Sequence, residues 1–304
     1  IGNLLSRRGG MLCAFHSTKE ENMSKTVFDN IDPVILERVR AMRFFDDEFM
    51  SAAFSDDIKM TQFLIRILLN RNDLTVTKSM SQMQKTNLFG KSVRLDIVAE
   101  DIFKTEYNIE IQRADAGAGA RRIRYHQALI DSHTIQKGGT FKDLPNLYII
   151  DILENDIFER GLPVYRVKKS LDITDDEGNY LPFDDDCNIM YVNGKYEADD
   201  PLGRLMHDFS TANADEMFYS ELADKMRFLK QDKRGIEVAS RIVEEYGDIR
   251  ASEALKQGIQ QGIQQKAVEA AVLLVKDFNA SPQFAAQKMN APLDKVLETL
   301  NSVN

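Results

Sequence analysis

Three side chains suited to acid or metal chemistry, Asp96, Glu110 and Gln112, lie in two neighbouring stretches that have the pattern of β-strands. The stretches read SVRLDIVAED and YNIEIQ. Successive side chains of a strand point to opposite faces. Both stretches therefore have one apolar face, and the opposite face carries the three polar groups. This alternation predicts that the three groups lie on the same side of one sheet.

A turn centred near Phe103 would place Asp96 directly opposite Glu110. Opposed residues of an antiparallel pair have Cβ atoms about 4.5–5.5 Å apart, and two carboxylates at that distance repel each other. A cation between them removes the repulsion, and Mg²⁺ takes one or two carboxylates while keeping several waters. The alternative is a solvated polar face of a sheet, and a shift of the register by one residue would separate the pair.

Basic residues follow the second strand. Six basic and three acidic residues lie between Arg113 and Asp143, in a chain with a net charge of −9. Arginine forks suit phosphate oxygens, so we expect Arg113, Arg121, Arg122 and Arg124 to form a phosphate-binding patch. The alternative is a solvated helix face. The negative net charge argues against non-specific binding of nucleic acid by the whole surface.

The remaining elements form an α/β pattern. Residues 31–70 read as helical, the two strands above are preceded by another, and LPNLYIIDIL has the pattern of a strand buried on both faces. From Pro201 onward the chain reads as helical. The predicted parts are a flexible leader, a main domain, an acidic turn-rich insert within it and a helical C-terminal region, at residues 1–30, 31–231, 172–200 and 232–304.

The helical C-terminal region contains Gly258 and Gly262 on one helix face, in SEALKQGIQQGIQQKAVEAAVLLV. A second helix can approach closely there, so a homo-oligomer is one expectation and a plain surface helix the other. Ser281 and Pro282 have the pattern of a helix start. The two short helices that follow resemble a helix–turn–helix, a pairing also common in ordinary helical tails.

Several functional classes have no support in the sequence. It contains no apolar run of 18 residues, no P-loop, no GxGxxG and no nucleophile elbow. We therefore expect no transmembrane helix and no nucleotide cofactor. The two cysteines, Cys13 and Cys187, form no disulfide framework, so we expect a cytoplasmic protein. The leader offers Met11 and Met23 as candidate starts, and His126 and His133 are expected to be ordinary histidines.

The linked motifs resemble the PD-(D/E)xK nuclease family transposases, also called recombination-promoting nucleases. The matching stretches are NLFGKSVRLDIVAED, YNIEIQRAD, RRIRYHQALID, KGGTFKDLPNLYIIDILENDIF and YVNGKYEADDPLGRLMHDFS. The resemblance implies a restriction-endonuclease-like core, in which a small mixed sheet is flanked by helices. It also implies metal-dependent hydrolysis of DNA phosphodiester bonds during recombination or transposition.

The resemblance also implies roles for individual residues. Asp96, Glu110 and the Ile111 carbonyl would hold Mg²⁺, with Mn²⁺ as a substitute, and Gln112 would orient the attacking water. Gln112 departs from the lysine that is more common in the superfamily, and a neutral amide cannot supply lysine's charge. Arg113, Arg121, Arg122, Arg124 and Tyr125 would contact DNA, and Asp57 is a candidate accessory acid. The alternative is a weakly active or inactive nuclease fold that binds DNA or a protein partner.

Overall fold

The computed structural model describes residues 31–54, 56–85, 93–113, 119–135 and 138–302. The predicted leader, with Met11 and Met23, lies outside the described residues. The chain divides into two compact units, and the division falls between Val243 and Glu244. One continuous helix runs through this point, so the predicted domain boundary after residue 231 stays a prediction.

Among the described residues, the first part of the chain has three helices, then three strands, and then a helix followed by a strand. Its elements are α1 (Pro33–Ala41), α2 (Asp47–Phe54), α3 (Ile58–Leu69), β1 (Val76–Lys85), β2 (Val93–Asp101), β3 (Glu106–Gln112), α4 (Ala120–Thr134) and β4 (Leu147–Leu153). A second series of strands follows, and then helices to the end: β5 (Val164–Arg166), β6 (Ser170–Thr174), β7 (Tyr180–Pro182), β8 (Cys187–Asn193), α5 (Pro201–Ser210), α6 (Ser220–Gln231), α7 (Lys233–Phe278), α8 (Pro282–Met289) and α9 (Leu293–Ser302).

The central sheet has six strands in the order β1-β2-β3-β4-β8-β5. The pairs β3–β4 and β4–β8 are parallel, and the other pairs are antiparallel. Helices pack on both sides of this sheet, and the C-terminal region is helical. The predicted small mixed sheet flanked by helices is therefore confirmed.

The predicted acidic insert, residues 172–200, needs a correction. Strands β6 and β7 form a separate two-stranded hairpin, but β8, which lies within the same range, is a strand of the central sheet. The reason is burial, because Met190, Tyr191 and Val192 are at most 5% exposed and pack into the core. The acidic turns on either side of β8 concealed its apolar pattern.

The two faces of the sheet are covered by different helices. On one face, Ile97, Ile109 and Ile150 pack into a large cluster with the aromatic residues Phe44 and Phe209. Helices α1, α2, α3, α5 and α6 contribute to this cluster. On the other face, apolar residues of α4 pack against apolar residues of β4: Ile123, Leu129 and Ile130 against Leu147, Ile149 and Leu153. Asn108, Glu110 and Gln112 therefore lie on the face of β3 that α4 covers.

The C-terminal unit has its own small core. Val268, Ala271, Val272, Ala285, Ala286 and Val296 are buried together. The predicted start of α8 is confirmed, since the Ser281 side chain accepts a hydrogen bond from the Phe284 amide at 3.2 Å and Pro282 is the first helical residue. Gly258 and Gly262 lie in the interior of α7 and are exposed. Within the described residues, no helix is long and apolar enough to span a membrane.

Candidate active site

The predicted register of the β2–β3 hairpin is confirmed. Ile97 pairs with Ile109 and Val98 pairs with Asn108, and continuing this register by one residue brings Asp96 to Glu110. At that point the Asp96 side chain bonds to the neighbouring strand, because its Oδ2 accepts a hydrogen bond from the Ile111 amide at 3.1 Å. Asp96 is thus held beside the Glu110–Ile111 peptide.

The hairpin turn fixes this register from its other end. Asp101 Oδ1 accepts hydrogen bonds from the amides of Phe103 and Thr105, at 2.8 and 2.9 Å. Lys104 between them adopts a left-handed conformation with φ of 66°. The Asp101 side chain also accepts a hydrogen bond from the Tyr107 hydroxyl at 2.9 Å. A turn braced in this way opposes the slip that would separate Asp96 from Glu110.

Glu110 is a buried carboxylate, with 1% of its surface exposed. Burial, and next the nearby Asp96 carboxylate, raise the pKa of Glu110 well above its ordinary value. A buried carboxylate is costly unless it is protonated or compensated by a positive charge. Glu110 therefore either keeps its proton or needs a positive charge beside it.

Helix α4 supplies a cation to this carboxylate. Arg122 Nη2 lies 3.2 Å from Glu110 Oε2, and Arg122 Nη1 donates a hydrogen bond to Gln112 Oε1 at 2.7 Å. One turn further along the same helix face, buried His126 places Nδ1 3.8 Å from Glu110 Oε1. The sequence predicts that Arg122 contacts DNA, but in this structure its guanidinium spans the two β3 side chains.

A third carboxylate, Asp151, lies next to Glu110 and was not identified in the sequence. We refer to Asp96, Glu110 and Asp151 as the acidic row. Asp151 pairs with Glu110 in the parallel β3–β4 register, so the two side chains lie on the same face of adjacent strands. Asp151 is 3% exposed, and burial raises its pKa to about 6. The available signal was its position as the one charged residue in the apolar strand LYIIDIL.

The donor groups at this site fit a divalent cation such as Mg²⁺. Asp96 and Glu110 provide two carboxylates, which is the number that Mg²⁺ usually takes from protein. Asn108 donates a hydrogen bond to Glu110 Oε1 at 3.2 Å, and its buried Oδ1 has no hydrogen-bond partner in the described part of the chain. Arg122 shows that a positive charge is accommodated there. Across the described residues, however, no group of three or more His, Cys, Asp or Glu side chains is placed to hold one metal ion.

The other predicted DNA-binding residues lie in different surroundings. Arg121 and Arg124 are exposed on α4. Tyr125 is half-buried and packs against the α4 side of the sheet. Arg113 is exposed but engaged in ion pairs with Asp46 at 2.6 Å and Glu154 at 3.4 Å. Contact of these four residues with DNA stays a prediction.

Asp57, the candidate accessory acid, has a structural position. Its side chain caps α3 by accepting a hydrogen bond from the Met60 amide at 3.1 Å. Its other oxygen lies 2.7 Å from Lys225 Nζ on α6. These contacts join α3 to α6 and do not involve the Asp96–Glu110 pair, and the accessory role stays a prediction.

A comparison with known protein families found a match that includes the residues of this site. Residues 54–196 match the family model described as PD-(D/E)XK nuclease family transposase. This range contains every strand of the central sheet, together with Asp96, Glu110, Gln112 and Asp151. Neither a comparison with curated proteins nor one with solved structures gave a significant match. The predicted resemblance is therefore confirmed, and residues 54–196 form a domain of the PD-(D/E)XK nuclease family transposase type with the fold expected for it.

Proposed function

We propose that this chain is a divalent-metal-dependent DNA endonuclease that hydrolyses phosphodiester bonds in recombination or transposition. The observation that carries the proposal is the buried Glu110 carboxylate, which lies beside Asp96 and is compensated by the Arg122 guanidinium. A buried ionisable group on a central strand is weak evidence for stability, so we infer a functional role for Glu110. The family match supports hydrolysis of DNA as that reason.

Asp96, Glu110 and the Ile111 carbonyl are the groups that would hold Mg²⁺ or Mn²⁺. When bound, such an ion polarises a phosphodiester and lowers the pKa of a coordinated water. Gln112 contributes through its amide. Its Oε1 accepts a hydrogen bond from Arg122, which leaves the amide nitrogen to donate to a water or a phosphate oxygen. Because this group is neutral, we expect slower cleavage than a lysine would support.

Arg122 has two candidate partners in the catalytic cycle. Without substrate it neutralises Glu110. A phosphate oxygen is an equally good partner for its guanidinium, so a cation at the carboxylates would release Arg122 to the DNA backbone. The exposed residues Arg121 and Arg124 would hold neighbouring phosphates, with Tyr125 beside them.

A second candidate function is DNA binding without cleavage. The same Arg122 contact favours it, since a guanidinium bound to both Glu110 and Gln112 competes with a metal ion for this place. In that case the protein would bind DNA in EDTA and release no product in any metal.

Nicking of supercoiled plasmid tests the proposal. The test compares the wild-type protein with Asp96→Ala, each incubated with Mg²⁺, Mn²⁺ or EDTA. The control is Asp176→Ala, which changes an exposed acid of the β6–β7 turn. We expect nicking by the wild type and the control in either metal, none in EDTA, and a loss of at least about 100-fold in Asp96→Ala. Equal rates for Asp96→Ala and the wild type would refute the assignment. Binding without nicking in any metal would favour the second candidate.

A further inference from the structure

A pocket lined by aromatic and basic side chains lies beside the acidic row. It has a volume of about 430 Å³ and is lined by Phe158, Arg160, Tyr165, Arg166, Val167 and Tyr191. Pockets that hold small organic groups start at about 300 Å³ and combine apolar walls with a few polar groups. This pocket has that composition and includes no acidic residue in its lining.

The register of the sheet places this pocket in line with the carboxylates. Tyr165 pairs with Tyr191, and Tyr191 pairs with Asp151, which pairs with Glu110. All four side chains therefore lie on the same face in one row across the strands. Neighbouring strands are about 4.8 Å apart, so Tyr191 lies about 10 Å across the sheet from Glu110.

The aromatic rings of the pocket are held in fixed positions. Phe158 lies 4.6 Å from the Tyr165 ring and 5.3 Å from the Tyr191 ring, measured between centroids. Asp156 braces this wall, because it accepts hydrogen bonds from the Tyr165 hydroxyl at 2.7 Å and the Gly161 amide at 2.7 Å. Phe158 nevertheless keeps 42% of its surface exposed. A fixed, partly exposed ring can stack with a planar ligand at little cost in conformational entropy.

The charge of the pocket indicates the class of ligand. Arg160 and Arg166 are exposed, and neither forms an ion pair within the described residues. By contrast, Arg113 is engaged in ion pairs with Asp46 and Glu154. Two available guanidinium groups next to packed aromatic rings suit a ligand that has both a flat π-face and negative charge. An unpaired nucleotide has both properties.

We propose that this pocket, defined by Phe158, Tyr165, Tyr191, Arg160 and Arg166, binds an unpaired nucleotide of a DNA strand next to the acidic row. The base stacks on Phe158, and the two arginines contact the adjoining phosphates. The inference rests on the proposed function for its choice of DNA, and it adds a substrate class: ends, flaps or locally opened DNA instead of intact duplex.

Fluorescence anisotropy in EDTA tests the inference without any cleavage. The probes are fluorescein-labelled oligothymidylate of about 20 nucleotides, a mixed-sequence duplex of the same length and oligouridylate. For Phe158→Ala we expect single-strand affinity to fall roughly 5- to 100-fold and duplex affinity to change less than about twofold. Phe158→Trp should keep single-strand binding. The control Phe141→Ala removes a ring that is 87% exposed and lies before β4, and it should bind like the wild type.

A second variant keeps the test valid if Phe158→Ala fails to fold. Arg160→Gln/Arg166→Gln should reduce the slope of log affinity against log salt for oligothymidylate by about 1.4, since each phosphate contact contributes about 0.7. Unchanged single-strand binding in both variants, equal losses on single strand and duplex, or no single-strand binding by the wild type would overturn the inference. Equal binding of oligouridylate would support a pocket for an unpaired nucleotide that does not distinguish DNA from RNA.

The results separate this inference from the proposed function. Plasmid nicking together with a neutral Phe158→Ala variant would leave the endonuclease in place and remove the nucleotide pocket. Loss of single-strand binding in Phe158→Ala, combined with a wild type that cleaves nothing, would support the nucleotide pocket and refute the endonuclease.

Discussion

Asp151 shows most clearly how single buried charges set the properties of this site. It lies on a central strand, pairs with Glu110 and has no charge partner on its own strand. Burial raises its pKa to about 6 from an ordinary 3.8. In the folded state this carboxyl therefore holds its proton more strongly than in the unfolded state, and its contribution to stability is largest at low pH.

We predict that Asp151→Asn increases the free energy of unfolding at pH 7.5 in EDTA. The contribution of a raised carboxyl pKa is lost as the pH rises from about 4 to about 6, and the loss amounts to at most about 3 kcal/mol. The variant should flatten the pH dependence in this range. Urea unfolding at several pH values measures it, with exposed Asp172→Asn as control. A variant less stable than the wild type at pH 7.5, with the same pH profile, would contradict burial of the Asp151 carboxyl as the cause.

The sequence predicted the pairing of Asp96 with Glu110, but it did not predict the position of Asp151 or which arginine contacts Glu110. The Asp96–Glu110 register followed from local facts, the alternation of two strands and the turn between them. Asp151 could not be placed because β3 and β4 are parallel and are joined through α4, so no hairpin fixes their register. Which arginine of α4 turns inward depends on the rotation of the helix against the sheet. That rotation is set by Ile123, Leu129 and Ile130.

Helix α4 is the element that connects the acidic row with a positive charge. Its apolar side packs on β4, which directs Arg122 and His126 towards Glu110. The neighbouring residue Arg121 is exposed. The two arginines thus form a natural comparison on one helix, because they have the same side chain in different surroundings.

We predict that Arg122→Ala lowers the free energy of unfolding in EDTA by about 1–3 kcal/mol, because a buried carboxylate loses its charged partner. Mg²⁺ should restore part of this loss, so the rise in Tm on adding Mg²⁺ should be larger in Arg122→Ala than in the wild type. Thermal unfolding with and without Mg²⁺ measures both effects. Arg121→Ala should resemble the wild type. Equal Mg²⁺ shifts in all three proteins would mean that Arg122 and the cation do not share a place.

Strand β8 shows why one element of the fold was misjudged. Its apolar residues Met190 and Val192 stand between acidic turns, and composition alone assigned the whole segment to a solvated insert. Long-range pairing makes this segment a strand of the central sheet, where β8 lies between β4 and β5. The strands that adjoin in both sequence and space, β2 and β3, were the ones whose pairing could be predicted.

At the scale of the whole molecule, the C-terminal unit supplies a candidate surface for self-association. Leu255, Ile259 and Ile263 follow at intervals of four residues in α7 and are 66%, 56% and 66% exposed. Such a spacing puts them on one helix face. Gly258 and Gly262 precede two of them directly. Oligomerisation through this helix stays a prediction.

We expect the full chain to be an oligomer in solution and Ile259→Asp to shift it towards the monomer, because a charge in an apolar helix seam is left unpaired. Light scattering coupled to size exclusion measures the mass. Gln261→Asp, an exposed position on another side of the same helix turn, serves as the matched control. A wild type that is monomeric at high concentration, or a mass that Ile259→Asp leaves unchanged, would argue against this face as the seam.

The most direct test of the central claim compares two glutamates of the same strand. Glu106 and Glu110 lie on the same face of β3, but only Glu110 is assigned to the cation. Initial rates of plasmid nicking in Mg²⁺ are measured for Glu110→Gln, Glu106→Gln and the wild type. We predict a loss of at least about 100-fold for Glu110→Gln and a rate within about threefold of the wild type for Glu106→Gln. Wild-type activity in Glu110→Gln would contradict the assignment of Glu110 to the cation.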